Sequence, residues 1–398
     1  MNRHLLTTAC FGFVVIGLVN SLLGPALPGL SARFGLNHTN AGALFSFFAA
    51  GDILGVFVGG VLGDRFGKGR VLRFAGVLLG VGLAVFAGAP SLWIVRVALF
   101  LYGMGFATID GLTAAVISDA AGGHRARWLS LMNVFFGVGA LCGPWLFSPV
   151  VTETLWLRFG FAIAALLAFA FAGLFPVQQA DRVSKETTQV SLRSLQQLLT
   201  SPIYLRYAVA FFLYVGLETG FTGWGATFLQ ESRNSSPAIA TAAISVFWMA
   251  QSLGRLAAGL LLHPHLEKRW LFATTTGFFV CAVGLLFLAN PLGALVCFGL
   301  LGYASSAIFP TMQALVNTEI GKFSGTVTGS LVGVGGIGAL LLPLIMGFLA
   351  DGFGTWWAMA SGTLLSLVLL SFIIPIVLST HSAGQETRHW VSASEEKG

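Results

Sequence analysis

The sequence predicts an all-α membrane protein of twelve transmembrane helices, arranged as two pseudo-symmetric six-helix bundles. Three observations predict this class. Only 9% of the 398 residues are charged and 56% are hydrophobic, whereas soluble domains carry about 25% charged residues. The apolar runs are continuous and about 20 to 27 residues long, enough to cross a hydrocarbon core of about 30 Å. Barrel strands would instead alternate over about ten residues. Finally, the chain matches itself when shifted by 199 residues, half its length.

The expected spans are 6–29, 41–63, 70–89, 91–118, 128–150 and 158–177, then 205–230, 237–262, 270–289, 291–317, 324–349 and 355–379. Span 1 follows Arg3 and exceeds the 7 to 15 residues of a signal-peptide core; no small-residue cleavage site follows Pro25 and Pro28, so it stays as a helix. Span 2 runs into Asp64-Arg65, and spans 3 and 4 meet at Pro90. Span 5 follows Arg125 and Arg127, and span 6 lies between Arg158 and Pro176. In the second half, Pro237, Pro264, Pro291, Lys322 and Gly354 punctuate the turns. The longest connection carries Asp181, Arg182, Lys185, Glu186 and Arg193, and its stretch 191–200 is expected as a surface helix. The expected organisation is therefore 1–177 as an N-terminal bundle, 178–204 as a cytoplasmic linker, 205–380 as a C-terminal bundle and 381–398 as a cytoplasmic tail.

Basic residues orient the spans. With both termini in the cytoplasm, 16 of the 21 Lys and Arg fall on that side, against Arg33, Arg158 and Arg233 opposite and Arg96 and Arg255 within helices. The net charge of +6 thus reflects topology in an inner-membrane, multi-pass chain, not nucleic-acid binding. The four cysteines lie inside apolar runs without metal-type spacing and read as core residues, with no disulfide framework. Metals and cofactors are not expected, and phosphate-loop or nucleophile motifs of an enzyme are missing.

The repeat carries function as well as fold. At the offset of 199, Gly55 falls on Gly254, Gly60 on Gly259, Arg70 on Arg269, Gly103 on Gly302, Gly139 on Gly338 and Pro144 on Pro343. Parallel repeats of this kind are a transporter plan with the substrate site between the halves. Charges inside the membrane cost at least about 2.5–3.5 kcal/mol each, which singles out Asp52, Asp110 and Glu218 near mid-span and Arg255 deeper in span 8. Arg255 reads best as a partner in an interhelical ion pair. Asp52 falls opposite Gln251 at the repeat offset, and Arg96, Gly103 and Asp110 share one helix face at seven-residue spacing. Asn20, Trp224, Trp248, Tyr303 and Gln313 lie at similar depth. Carboxylates, amides and aromatic rings suit a hydroxyl-rich neutral ligand, and they also suit a mixed apolar one.

The loop after span 2, Gly60-Val-Leu-Gly-Asp64-Arg65-Phe-Gly67-Lys68-Gly-Arg70, resembles the loop motif of the major facilitator superfamily. Asp64 there is expected to meet a helix N-terminus or a basic side chain, and the glycines to permit close helix contact. Arg96 followed by Gly103 resembles the superfamily's fourth-helix motif. Shorter segments resemble its fucose–galactose–glucose proton symporter branch: Gly105 to Gly111, Leu131 to Pro144, Gly216 to Trp224, Gly254 to Gly259 and Phe309-Pro310-Thr311. Gly137 to Pro144 also partly resembles a drug-antiporter motif, though Trp145 and Leu146 follow where that motif ends on glycines.

The resemblance implies secondary active transport by alternating access, as a monomer in the bilayer, with protons and a small molecule as partners. The expected ligand residues are Asn20, Glu218, Trp224, Trp248, Gln251, Tyr303 and Gln313. Asp110 and Asp52 are expected to couple protons, in place of the first-helix acid of the branch. Gly60, Asp64, Arg65, Gly67, Arg70, Arg96 and Arg255 are expected to gate or to hold structure. Uptake of a sugar or polyol leads; proton-driven export of drugs or amphipathic metabolites is the alternative. A membrane sensor that has kept the fold without transport fits less well, because no long soluble domain is present to pass on a signal.

Overall fold

The computed structural model describes residues 3–120, 125–145, 154–183, 201–261, 266–288, 290–320 and 324–378. In chain order they form α1 (Arg3–Asn20), α2 (Leu23–Phe34), α3 (His38–Phe66), α4 (Lys68–Gly88), α5 (Leu92–Ala120), α6 (Arg125–Trp145), α7 (Thr154–Leu174) and α8 (Val177–Val183). The second half forms α9 (Pro202–Arg233), α10 (Pro237–Leu261), α11 (Glu267–Phe287), α12 (Pro291–Ser305), α13 (Ile308–Ile320), α14 (Ser324–Phe353) and α15 (Thr355–Leu378). Each expected span is found within about five residues of its predicted ends wherever those ends are described; residues 146–150 of the fifth span, 262 of the eighth, 289 of the ninth and 379 of the twelfth lie outside the described residues. The stretch 191–200, expected as a surface helix, and the tail 381–398 lie outside the described residues.

Two spans expected to be continuous are broken. The first divides between α1 and α2, where Ser21 and Leu22 N–H groups bond back only three residues, to Leu18 and Val19. The tenth divides between α12 and α13, where Ser306 N–H bonds to Tyr303. Each break lies four residues before a proline, Pro25 or Pro310. Proline has no N–H for the carbonyl four residues earlier and its ring crowds that carbonyl, so the helical ladder stops at Ser21 and at Ser306.

Within the first half, α1 packs on α6, α3 and α4 on α5, and α4 on α7; within the second, α9 packs on α14 and α15, α10 on α12, and α11 on α15. The halves meet through α3 against α14, α6 against α10 and α2 against α9. The duplication shows in the contacts themselves. A Cβ on Gly103 would lie 2.1 Å from the Phe48 carbonyl oxygen, and one on Gly302 would lie 2.1 Å from that of Phe247. Phe48 and Phe247 are themselves 199 apart. Gly55 and Gly254 likewise approach the carbonyls of Met104 and Tyr303, again one offset apart. The glycine pattern is thus a pair of equivalent helix crossings at backbone distance, the small-residue packing that membrane helices use.

The outer faces carry exposed Phe74, Trp93, Leu166, Phe348 and Leu364, as lipid-facing surfaces require. Among the described residues nine helices are long and apolar enough to cross a membrane. The chain is therefore a multi-pass membrane protein.

The loop between α3 and α4 turns at Gly67. Gly67 holds φ +94, and a Cβ there would lie 2.7 Å from Asp181 Oδ1. The acid at the N-terminus of α4 is Asp181 from α8, which accepts the Gly69 N–H at 2.7 Å; Asp64 lies at the end of α3 with an exposed side chain, as do its neighbours Arg65 and Arg70. Gly60, expected in a close helix contact, has open space where a Cβ would stand. Lys68 is instead buried and pairs with Asp119 at 2.9 Å.

Candidate functional site

A cavity of about 200 Å³ lies between the two bundles. The first half contributes Asn20 at the end of α1, Phe45 and Asp52 from α3, and Phe106 from α5; the second contributes Glu218 and Thr219 from α9, Trp248 from α10 and Phe309 from α13. Both helix breaks adjoin this region. Asn20 and Ser21 of the first break line it directly, and the second break sits behind Glu218. Interrupted helices of this kind place free backbone groups at transporter sites.

Glu218 anchors the second-half wall. Its Oε1 accepts from the Tyr214 hydroxyl at 2.9 Å and from Gln251 Nε2. Gln251 Nε2 also lies 3.1 Å from Ser305 Oγ, and Tyr214 Oη lies 2.8 Å from the Ser305 carbonyl. One hydroxyl proton serves one acceptor at a time. With Glu218 ionised, Tyr214 can donate to it. With Glu218 protonated, the carboxyl can donate to Tyr214, which turns its own proton to Ser305. The arrangement therefore accommodates both charge states without moving a helix.

The charges form a sparse group. Asp110 is within Coulombic reach of both Asp52 and Arg255, and Arg255 of Glu218. Arg255 Nη1 lies 3.5 Å from Asn133 Oδ1, so the second-half cation also touches the first bundle. Among the described residues Arg255 makes no ion pair within 4.0 Å, so the expected close salt bridge is replaced by a longer-range position between two acids, Asp110 and Glu218. Of the three residues expected to share one face of α5, Arg96 and Gly103 face α3, at Asn40 and Phe48 respectively.

Of the ligand residues expected from sequence, Asn20, Glu218 and Trp248 line the cavity, as does the expected proton-coupling residue Asp52. Gln251 is buried behind Glu218 and reaches the cavity only through it. Trp224 is buried elsewhere, donating its indole N–H to the Pro343 carbonyl at 2.9 Å where the bundles close. Tyr303 does not face the cavity; it is 42% exposed, on the far side of α12 from Ser305. Gln313 is half-buried and not part of the wall. Asp110 stands one turn beyond Phe106 and is exposed. Sequence reasoning missed Tyr214 and Ser305, which only the helix packing brings to Glu218.

The sequence matches the Major Facilitator Superfamily over residues 9–341. The chain belongs to that family. It is 22% identical over 374 residues to the glucose/mannose transporter GlcP of Bacillus subtilis, covering 92% of each chain. It is 26% identical over 402 residues to the class E tetracycline resistance protein of Escherichia coli, covering 94% of this chain and 96% of that one. Its fold superposes on the crystal structure of the nucleoside transporter NupG with a TM-score of 0.79 at 15% identity, covering 94% of this chain and all of the other. This superfamily chain is a transporter of small molecules and not an enzyme, and the likeness to a sugar carrier agrees with the symporter branch its motifs resemble.

Proposed function

We propose that the chain imports a sugar or polyol-sized ligand together with protons, by alternating access. The observation that carries this reading is the composition of the cavity. Carboxylates and an amide face each other across it from the two halves, with Trp248 and Phe309 as apolar walls. Such groups bond hydroxyls and stack on the C–H faces of a pyranose. At about 200 Å³ the space is below the roughly 300–1,000 Å³ of drug-sized sites, which favours a small ligand.

In this reading Glu218, presented by Tyr214 and Gln251, grips the ligand from one bundle and Asn20 from the other. Asp52 and Asp110 carry the proton, since neutralising a carboxylate removes the cost of desolvating its charge and shifts the balance between conformations. In this reading the chain works as a monomer in the inner membrane with half boundaries near 177 and 205, and the basic-residue bias supports a cytoplasmic position for both termini.

The test is thermal stability of the purified protein against sugars, polyols, nucleosides and lipophilic cations at two pH values. A ligand that binds the folded state raises its apparent stability. A shift with a sugar, lost in Glu218→Gln, supports the reading; shifts with lipophilic cations alone sink it. Export of amphipathic compounds is the second reading, favoured by the phenylalanines at 45, 48, 106 and 309 on the cavity wall and by the likeness to a tetracycline resistance protein.

A further inference from the structure

Opposite the Gly67 turn the two bundles are closed, and three helices meet there on one histidine. His38 opens α3. Its Nε2 lies 3.0 Å from Glu231 Oε2 on α9, and its Nδ1 lies 3.0 Å from Asp351 Oδ1 on α14. Asp351 also accepts the backbone N–H groups of His38 and Thr39 at 2.6 and 2.8 Å and the Thr39 hydroxyl at 2.5 Å. It therefore caps α3 from across the boundary between the halves.

Counting hydrogens gives the cluster a definite charge state. A neutral imidazole has one N–H and one lone pair, so it can donate to one carboxylate only. The second ring nitrogen would then set a lone pair against the other carboxylate. Satisfying both contacts needs one proton more than a neutral ring with two carboxylates holds, whether it sits on the ring or on an acid. The arginines nearby are engaged otherwise: Arg96 of α5 with Asn40 Oδ1, Arg233 of α9 with the carbonyls of Leu285 and Leu286, and Arg33 of α2 with that of Ala89. The three side chains are 29%, 48% and 24% exposed, so water on that face can supply the proton.

We propose that His38, Glu231 and Asp351 form a proton-binding latch that takes up one proton as this end closes and returns it to the same face as the end opens. Histidine is the side chain suited to exchange a proton between pH 5 and 8. The closed state binds one proton more than the open one, so acid on this face favours closure and alkali favours opening. By linkage the closed-to-open ratio falls by up to about tenfold per pH unit. The latch is separate from Asp52 and Asp110, and its action requires no particular substrate.

The experiment uses the full chain in lipid nanodiscs, with the four native cysteines replaced and spin labels at Ala32→Cys and Ala238→Cys, exposed positions on α2 and α10 near the closed end. Inter-label distances are measured from pH 5 to pH 8 without substrate. The latch predicts a growing long-distance population as pH rises, a response reduced in His38→Gln and in Glu231→Gln. A wild-type distribution that does not change with pH overturns the proposal. So does an unchanged response in both His38→Gln and Glu231→Gln.

Discussion

Glu218 shows what a buried charge demands of its neighbours. Its two partners come from its own helix and from α10, and each has a second obligation to Ser305 at the broken end of α12. Tyr214→Phe removes the hydroxyl shared by Glu218 and the Ser305 carbonyl. Leaving a buried acceptor unpaired costs about 1–3 kcal/mol, so the variant should unfold at a lower temperature in a detergent melt. Gln251→Leu strips a donor from the ligand-facing carboxylate and is expected to weaken sugar binding about tenfold, roughly 1.4 kcal/mol. Tyr303→Ala, outside the cavity, should leave affinity within about twofold in the same calorimetric titration; a large loss would mean Tyr303 turns inward in the ligand-bound state. The cavity acids were legible in sequence because a charge in the membrane is costly and is kept only where it meets water or a partner. Depth alone does not give a helix face, which is why Trp224, Tyr303 and Gln313 look equivalent to Trp248 in sequence and are not in space. The His38 cluster had no sequence signal, since its partners lie 193 and 313 residues away.

At the scale of helices, hydropathy and punctuation located every span, yet two spans are broken where none was expected. The signal was present in Pro25 and Pro310, each depriving the carbonyl four residues earlier of its donor. A proline in an apolar run reads equally as a kink, an end or a break, and only packing decides. The offset of 199 was more informative, because the matched glycines make matched crossings. This yields a paired prediction. Gly302→Ala would press a methyl against the Phe247 carbonyl oxygen, and Gly103→Ala would do the same at Phe48. Overpacking of this kind costs about 1–3 kcal/mol. Both variants should therefore lower the apparent melting temperature by similar amounts. Gly60→Ala and Gly111→Ala, where a Cβ meets open space, should not. Unequal losses at Gly103 and Gly302 would mean the two crossings are not mechanically equivalent.

For the whole molecule, the question is which contacts must break for the cavity to change sides. Close to His38 the halves approach at backbone distance: a Cβ on Gly42 would lie 2.7 Å from the Pro343 carbonyl oxygen, and one on Gly347 would lie 2.4 Å from that of His38. Nothing larger than a hydrogen fits at those two points, so the cavity has no passage there in this state. Asp110, exposed and one turn beyond the cavity residue Phe106, lies toward the opposite end. Opening the His38 end requires α3 and α14 to separate, and with them Thr39 and Asp351, which are hydrogen-bonded in this state. Thr39→Cys combined with Asp351→Cys, joined by a short thiol cross-linker, should therefore reduce uptake into proteoliposomes by at least about tenfold. Each single variant should transport with and without the reagent, and a cleavable linker should restore the double variant. Wild-type uptake by the fully cross-linked protein would show that this end stays shut throughout the cycle, and the route for substrate would then have to lie elsewhere between the bundles.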